Sequence, residues 1–124
     1  MAGHDLRQRV EVSDGDRTVA AAEVPTGGPG GTARASFRAE PGHIPPGCRA
    51  SLVDAVLDLP EVRESTRLEA VFPLGDSETL YRLQERCQDV RARPAGDSAI
   101  IDASLPVRRH RQHGAAASRR GGTC

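Results

Sequence analysis

A chain of 124 residues with no formal net charge, 27% charged and 37% hydrophobic residues has room for one domain with a modest core. Tryptophan is absent and Phe37, Phe72 and Tyr81 are the only aromatic residues, so that core must come from Val, Leu, Ile and Ala. No apolar run approaches the ~20 residues of a membrane helix, and the first residues, with Asp5 and Glu11 among them, lack a signal peptide's apolar stretch, so no membrane partner and a cytoplasmic location are expected.

Residues 10–22 form two partly alternating runs around Asp14-Gly15, which suits a tight hairpin that either joins a larger sheet or stays loose. Pro25-Thr26-Gly27-Gly28-Pro29-Gly30-Gly31 reads as a flexible linker, so residues 1–31 are set apart as a flexible N-terminal segment. The folded unit is expected over 32–105. From Thr32, Ala33, Ala35, Phe37 and Ala39 alternate with Arg34, Ser36, Arg38 and Glu40, the period-2 pattern of a strand with one buried face.

A Pro/Gly stretch from Pro41 to Gly47 breaks that strand. Leu52, Val53, Val56, Leu57 and Leu59 then recur at helical spacing, making an amphipathic helix that Pro60 ends, with Asp54 and Asp58 turned to water. A second strand runs from Thr66 to Pro73. Asp76 is placed to cap a second helix carrying Leu80, Tyr81, Leu83 and Cys87, on which Glu78 and Arg82 form an i,i+4 pair. Two further runs, Asp89 to Arg93 and Ser98 to Leu105, are joined by Pro94-Ala95-Gly96-Asp97 and read as a closing hairpin.

The order β-α-β-α-β-β defines an α+β fold, a two-layer α/β sandwich with an extra N-terminal hairpin as an option. That order resembles the one shared by small RNA-binding and sulfur-carrier domains. Residues 106–124 are Arg-rich and Gly-rich with no apolar periodicity after Val107, and are expected to be a disordered tail.

All 17 basic residues are arginine, with no lysine and no asparagine, a bias of the kind a GC-rich bacterial genome produces. Arginine clusters therefore carry less information than usual. Even so, every acidic residue lies between Asp5 and Asp102, whereas Arg108, Arg109 and Arg111 sit in an acid-free tail. With Arg34 and Arg38 on the outer face of the first strand, they are the candidate contacts to phosphate in a nucleic-acid partner.

Cys48, Cys87 and Cys124 are too few for a disulfide framework and are read as reduced thiols. Cys48 opens the first predicted helix, where the helix dipole favours a thiolate, and is the candidate reactive thiol. The sulfur-carrier pattern has proline after its cysteine; here Arg49 and Ala50 follow. No catalytic, cofactor or metal constellation is visible: His110 and His113 lack a metal-ligand spacing, and Gly27 to Gly31 precedes a strand instead of opening a helix. The sequence thus points to a non-enzymatic interaction or accessory module that binds a protein partner or a second copy of itself. Nucleic-acid binding and thiol chemistry at Cys48 are the alternatives.

Overall fold

The computed structural model describes residues 7–25, 31–106 and 122–124. Strands β1 (Arg7–Asp14) and β2 (Arg17–Pro25) form an antiparallel hairpin that turns at Gly15, whose φ of 66° a residue with a Cβ adopts only at a cost. The hairpin joins the main sheet. Strand β3 (Thr32–Ala39) pairs antiparallel with β2, placing Ala22 opposite Phe37 and Ala21 opposite Arg38.

From β3 the chain passes through helices α1 (Cys48–Leu57) and α2 (Pro60–Arg63) into β4 (Arg67–Pro73), which lies parallel to β3. Pro60 does end α1, but it also opens α2: at a first helical position proline's missing N–H costs nothing and its fixed φ suits the turn. Helix α3 (Ser77–Arg86) leads to the hairpin β5 (Gln88–Ala95) and β6 (Ser98–Ser104). A two-residue strand β7 (Gly122–Thr123) lies parallel to β1, giving the order β5-β6-β4-β3-β2-β1-β7.

Among the described residues the architecture is therefore α+β: six long strands in a mixed sheet, edged by β7, with three helices. The sheet exceeds four strands because β2 supplies four consecutive buried residues, Val19 to Ala22, which the alternating apolar side of β3 completes. Ala33, Ala35 and Phe37 of β3, Leu68, Ala70 and Phe72 of β4, and Ile101 of β6 face inward. They pack with Leu52, Val53 and Val56 of α1 and Leu83 of α3 in one cluster, which closes without tryptophan because the sheet side is mostly alanine and valine. At the β5 edge, Asp89 has φ 52° where the register slips between Gln88 and Arg91, and Pro94 withholds an N–H; both discourage pairing with another chain.

The linker residues 26–30 and the tail residues 107–121 lie outside the described residues. The tail expectation needs one correction, since Gly122 and Thr123 are a strand and Cys124 is covalently held. Among the described residues no helix is long and apolar enough to cross a membrane.

Candidate functional site

The crossover from β3 to β4 brings the start of α1 beside the start of α3, at the ends of two parallel strands. Gly47 caps α1 with φ 94°, a left-handed conformation that lets the loop turn sharply into the helix. No side chain of the loop itself caps α1. Instead, Oε2 of Glu78, from α3, accepts the backbone N–H of Gly47 at 2.9 Å and of Ala50 at 3.0 Å. A negative oxygen is thus seated where a helix leaves N–H groups unpaired and its dipole is positive.

This corrects the expected Glu78–Arg82 pair. Glu78 reaches across to α1, while Arg82 forms a fork onto Asp54 at 2.9 and 2.7 Å and also binds Glu85 at 2.9 Å. Asp54 further accepts from Arg86 at 2.6 Å, so it is a half-buried link between α1 and α3 and does not simply face water. Burial alone would push the Asp54 carboxyl up; hydrogen bonds and charge from Arg82 and Arg86 outweigh it and hold the group below its ordinary value.

Asp76 is 7% exposed and does cap α3 as expected, accepting Thr79 N–H at 3.1 Å and Thr79 Oγ1 at 2.7 Å. Arg49, in the first turn of α1, meets the same carboxylate at 2.9 Å. The approach to both helix starts therefore holds the Arg49–Asp76 ion pair and, on the backbone N–H groups of Gly47 and Ala50, the Glu78 carboxylate. The preceding loop is held by Arg17, which donates to the carbonyl of His43 at 2.6 Å.

The residues singled out in the sequence fare differently. Cys48 is fully buried and bonded to Cys124, so it is neither a free thiol nor a nucleophile; the reduced-thiol reading is corrected for this pair. A separation of 76 residues hid the partner. Cys87 is free and buried in the core, as expected, and burial pushes its thiol up. Arg34 pairs with Glu69 at 3.1 Å, and Arg91 lies opposite Asp102 in the β5–β6 register. The outer sheet face thus carries both signs, and Arg38 lies exposed opposite Ala21. Arg108, Arg109, Arg111, His110 and His113 lie outside the described residues, among which no metal-binding group of His, Cys, Asp or Glu is found.

Unpaired N–H groups at a helix start form an anion-binding site, and here the chain's own Glu78 carboxylate occupies it. No protein-family profile and no curated protein matches the chain. Among solved structures it is similar to yncA from Salmonella typhimurium, a candidate acetyltransferase solved with its cofactor acetyl-CoA, with a TM-score of 0.51 at 12% identity. The match covers 82% of this chain and 65% of the other, so the chain spans just under two thirds of that protein's length. At this identity the likeness establishes the fold. The finding stands against the expected non-enzymatic partner-binding module, since the protein that shares this fold is a candidate acetyltransferase. In this structure Cys48 is bonded to Cys124 and so is no free thiol, and Arg34 on the strand face is paired with Glu69, while Arg108, Arg109 and Arg111 lie outside the described residues.

Proposed function

We propose that the chain is an acyl-CoA-binding domain of the acyl-transfer type. The observation that carries this reading is its fold likeness to a candidate acetyltransferase holding acetyl-CoA. The start of α1 supports it, because the N–H groups of Gly47 and Ala50 converge on one anionic oxygen. That donor set fits a phosphate of the cofactor once the partly exposed Glu78 side chain turns away, with Arg49 as the nearest added positive charge. Gly47 is suited to the approach, since a Cβ there would meet nothing within 4 Å and its left-handed φ shapes the turn.

When bound, acyl-CoA supplies a thioester whose acyl carbon is open to attack by an acceptor nucleophile. The protein's part is to fix the phosphates and so set the thioester's position. Glu78 opposes this step, since it is a like charge on the same N–H groups.

Isothermal titration with acetyl-CoA and with pantetheine, which lacks the pyrophosphate, tests the reading. Acetyl-CoA should bind and pantetheine should not. Glu78→Ala, which removes the competing carboxylate, should bind acetyl-CoA about tenfold more tightly, equivalent to ~1.4 kcal/mol. Absence of acetyl-CoA binding by both proteins at millimolar ligand, with circular dichroism showing both folded, would overturn it.

A further inference from the structure

The Cys48–Cys124 bond joins the first residue of α1 to the end of β7, with 4.7 Å between the two Cα atoms. Strand β7 is otherwise weakly held. It pairs with β1 only at Val12 and Ser13, and the Cys124 N–H adds one bond to the Ser13 carbonyl at 3.2 Å. Each such hydrogen bond contributes ~1 kcal/mol net, whereas fixing each residue's backbone costs ~1–2 kcal/mol. Two paired residues therefore stay seated because the disulfide holds them.

The two cysteines are unequally exposed. Cys48, the first residue of α1, is 0% exposed, whereas Cys124 is an exposed residue following the edge strand β7. An incoming thiolate therefore reaches Cys124 first, with Cys48 as the leaving group.

We propose that Cys48–Cys124 is a redox-operated clamp: a dithiol reductant opens it and unseats residues 122–124 from β1, and exchange with an oxidised dithiol, the reverse reaction, seats them again. One reductant thiolate attacks Sγ of Cys124, the disulfide breaks, and the electron pair goes to Sγ of Cys48, which takes a proton. The reductant's second thiol then attacks the mixed disulfide, releases the Cys124 thiol and leaves as the reductant's own disulfide. Two electrons and two protons pass from reductant to protein. The clamp is anchored in the turn that carries the Gly47 and Ala50 N–H groups, so its state also sets how firmly that turn is held. This last consequence rests on the acyl-CoA reading; the clamp itself does not.

The full-length protein, oxidised in air and then treated with dithiothreitol, provides the test. Thiol counting in denaturant should find one free thiol, that of Cys87, before reduction and three after it. Non-reducing peptide mapping should link the peptides containing Cys48 and Cys124. By hydrogen exchange, the amide of residue 124, which donates to the Ser13 carbonyl, should lose protection at least tenfold on reduction and in Cys124→Ser, while Ile101 and Ala103 keep theirs. Three free thiols in the air-oxidised protein, or equal protection of the residue 124 amide in both states, would overturn the clamp. Acetyl-CoA titration of both states separates the two proposals: no binding in either, with the exchange difference intact, sinks the acyl-CoA reading alone. Binding without any exchange difference sinks the clamp alone.

Discussion

The contact most open to a quantitative test is the fork from Arg82 to Asp54, because it joins the two helices whose starts form the candidate site. The side chains are 35% and 32% exposed, so their interaction lies between a solvated surface pair and a buried one. Exposed pairs contribute ~0.2–1 kcal/mol, and hydrogen bonds to charged groups about 1.5–3 kcal/mol before the discount for solvent. Two bonds at 2.9 and 2.7 Å with a third of each side chain wet give a coupling of about 1–1.5 kcal/mol. With an unfolding entropy near 2.1 cal/mol/K per residue and about 100 folded residues, this corresponds to about 5–7 °C in Tm. The measurement is a double-mutant cycle of Asp54→Ala and Arg82→Ala by urea denaturation. Asp54→Ala should cost more than Arg82→Ala, because it also strands Arg86, and Arg82→Lys should lose more than half of the coupling because it keeps the charge without the fork. Single-mutant effects that add to within about 0.3 kcal/mol would refute the reasoning and make the pair an ordinary surface contact.

The same carboxylate should leave a signature in pH. Its folded value lies below its unfolded one, so it contributes stability that is fully present above the unfolded value near ~3.9 and is lost as pH falls through the folded value. The stability gap between wild type and Asp54→Asn should therefore be constant from pH 7 to about 5 and narrow below about pH 4, as read from urea midpoints. Leu52→Ala, at a side chain 2% exposed between α1 and the sheet, should cost about 3 kcal/mol, while a cost under about 1 kcal/mol in thermal unfolding would contradict the packing. Asp76→Ala should cost about 2 kcal/mol by urea denaturation, because it removes the α3 cap and leaves the Thr79 hydroxyl and the Arg49 charge without their acceptor; Asp76→Asn, which keeps the cap, should recover part of it.

The residues that made the fold legible are those with a local periodic signal. Ala33, Ala35 and Phe37 alternate and become β3 over Thr32–Ala39, while Leu52, Val53, Val56 and Leu57 recur at helical spacing and become the buried side of α1. Asp76 was readable as a cap because capping is decided within four residues. The start of the candidate site was less legible. Glu78 has an i+4 arginine, and the local rule pairs them for a few tenths of a kcal/mol. An unpaired helix start 28 residues earlier offers the same carboxylate two N–H donors, and that stronger contact prevails. Asp54 likewise has no local cation to betray its role, because Arg82 approaches from another helix. Strand β7 and its disulfide gave no signal because Gly122 and Thr123 carry no apolar pattern and disulfide connectivity is not written in spacing.

These long-range contacts bear on how the proposed cofactor site would operate. Glu78 is tethered to the fold, so at the start of α1 it acts as an anion at an effective concentration of the millimolar order typical of short tethers. A cofactor at micromolar levels cannot displace it by charge alone; it must offer more hydrogen-bond acceptors than the single oxygen now shared by Gly47 and Ala50. A pyrophosphate does so, and a carboxylate or a single weak acceptor does not. Arg49 sharpens the distinction, because drawing it from Asp76 leaves that buried acid with only its Thr79 bonds, a cost that a multiply charged ligand offsets and a singly charged one does not. On this argument Glu78 and Asp76 act as a filter for polyanions. Glu78→Ala should then raise affinity for inorganic phosphate by a larger factor than for acetyl-CoA, since phosphate has less with which to displace the glutamate. Equal factors for both ligands would mean that Glu78 merely caps α1.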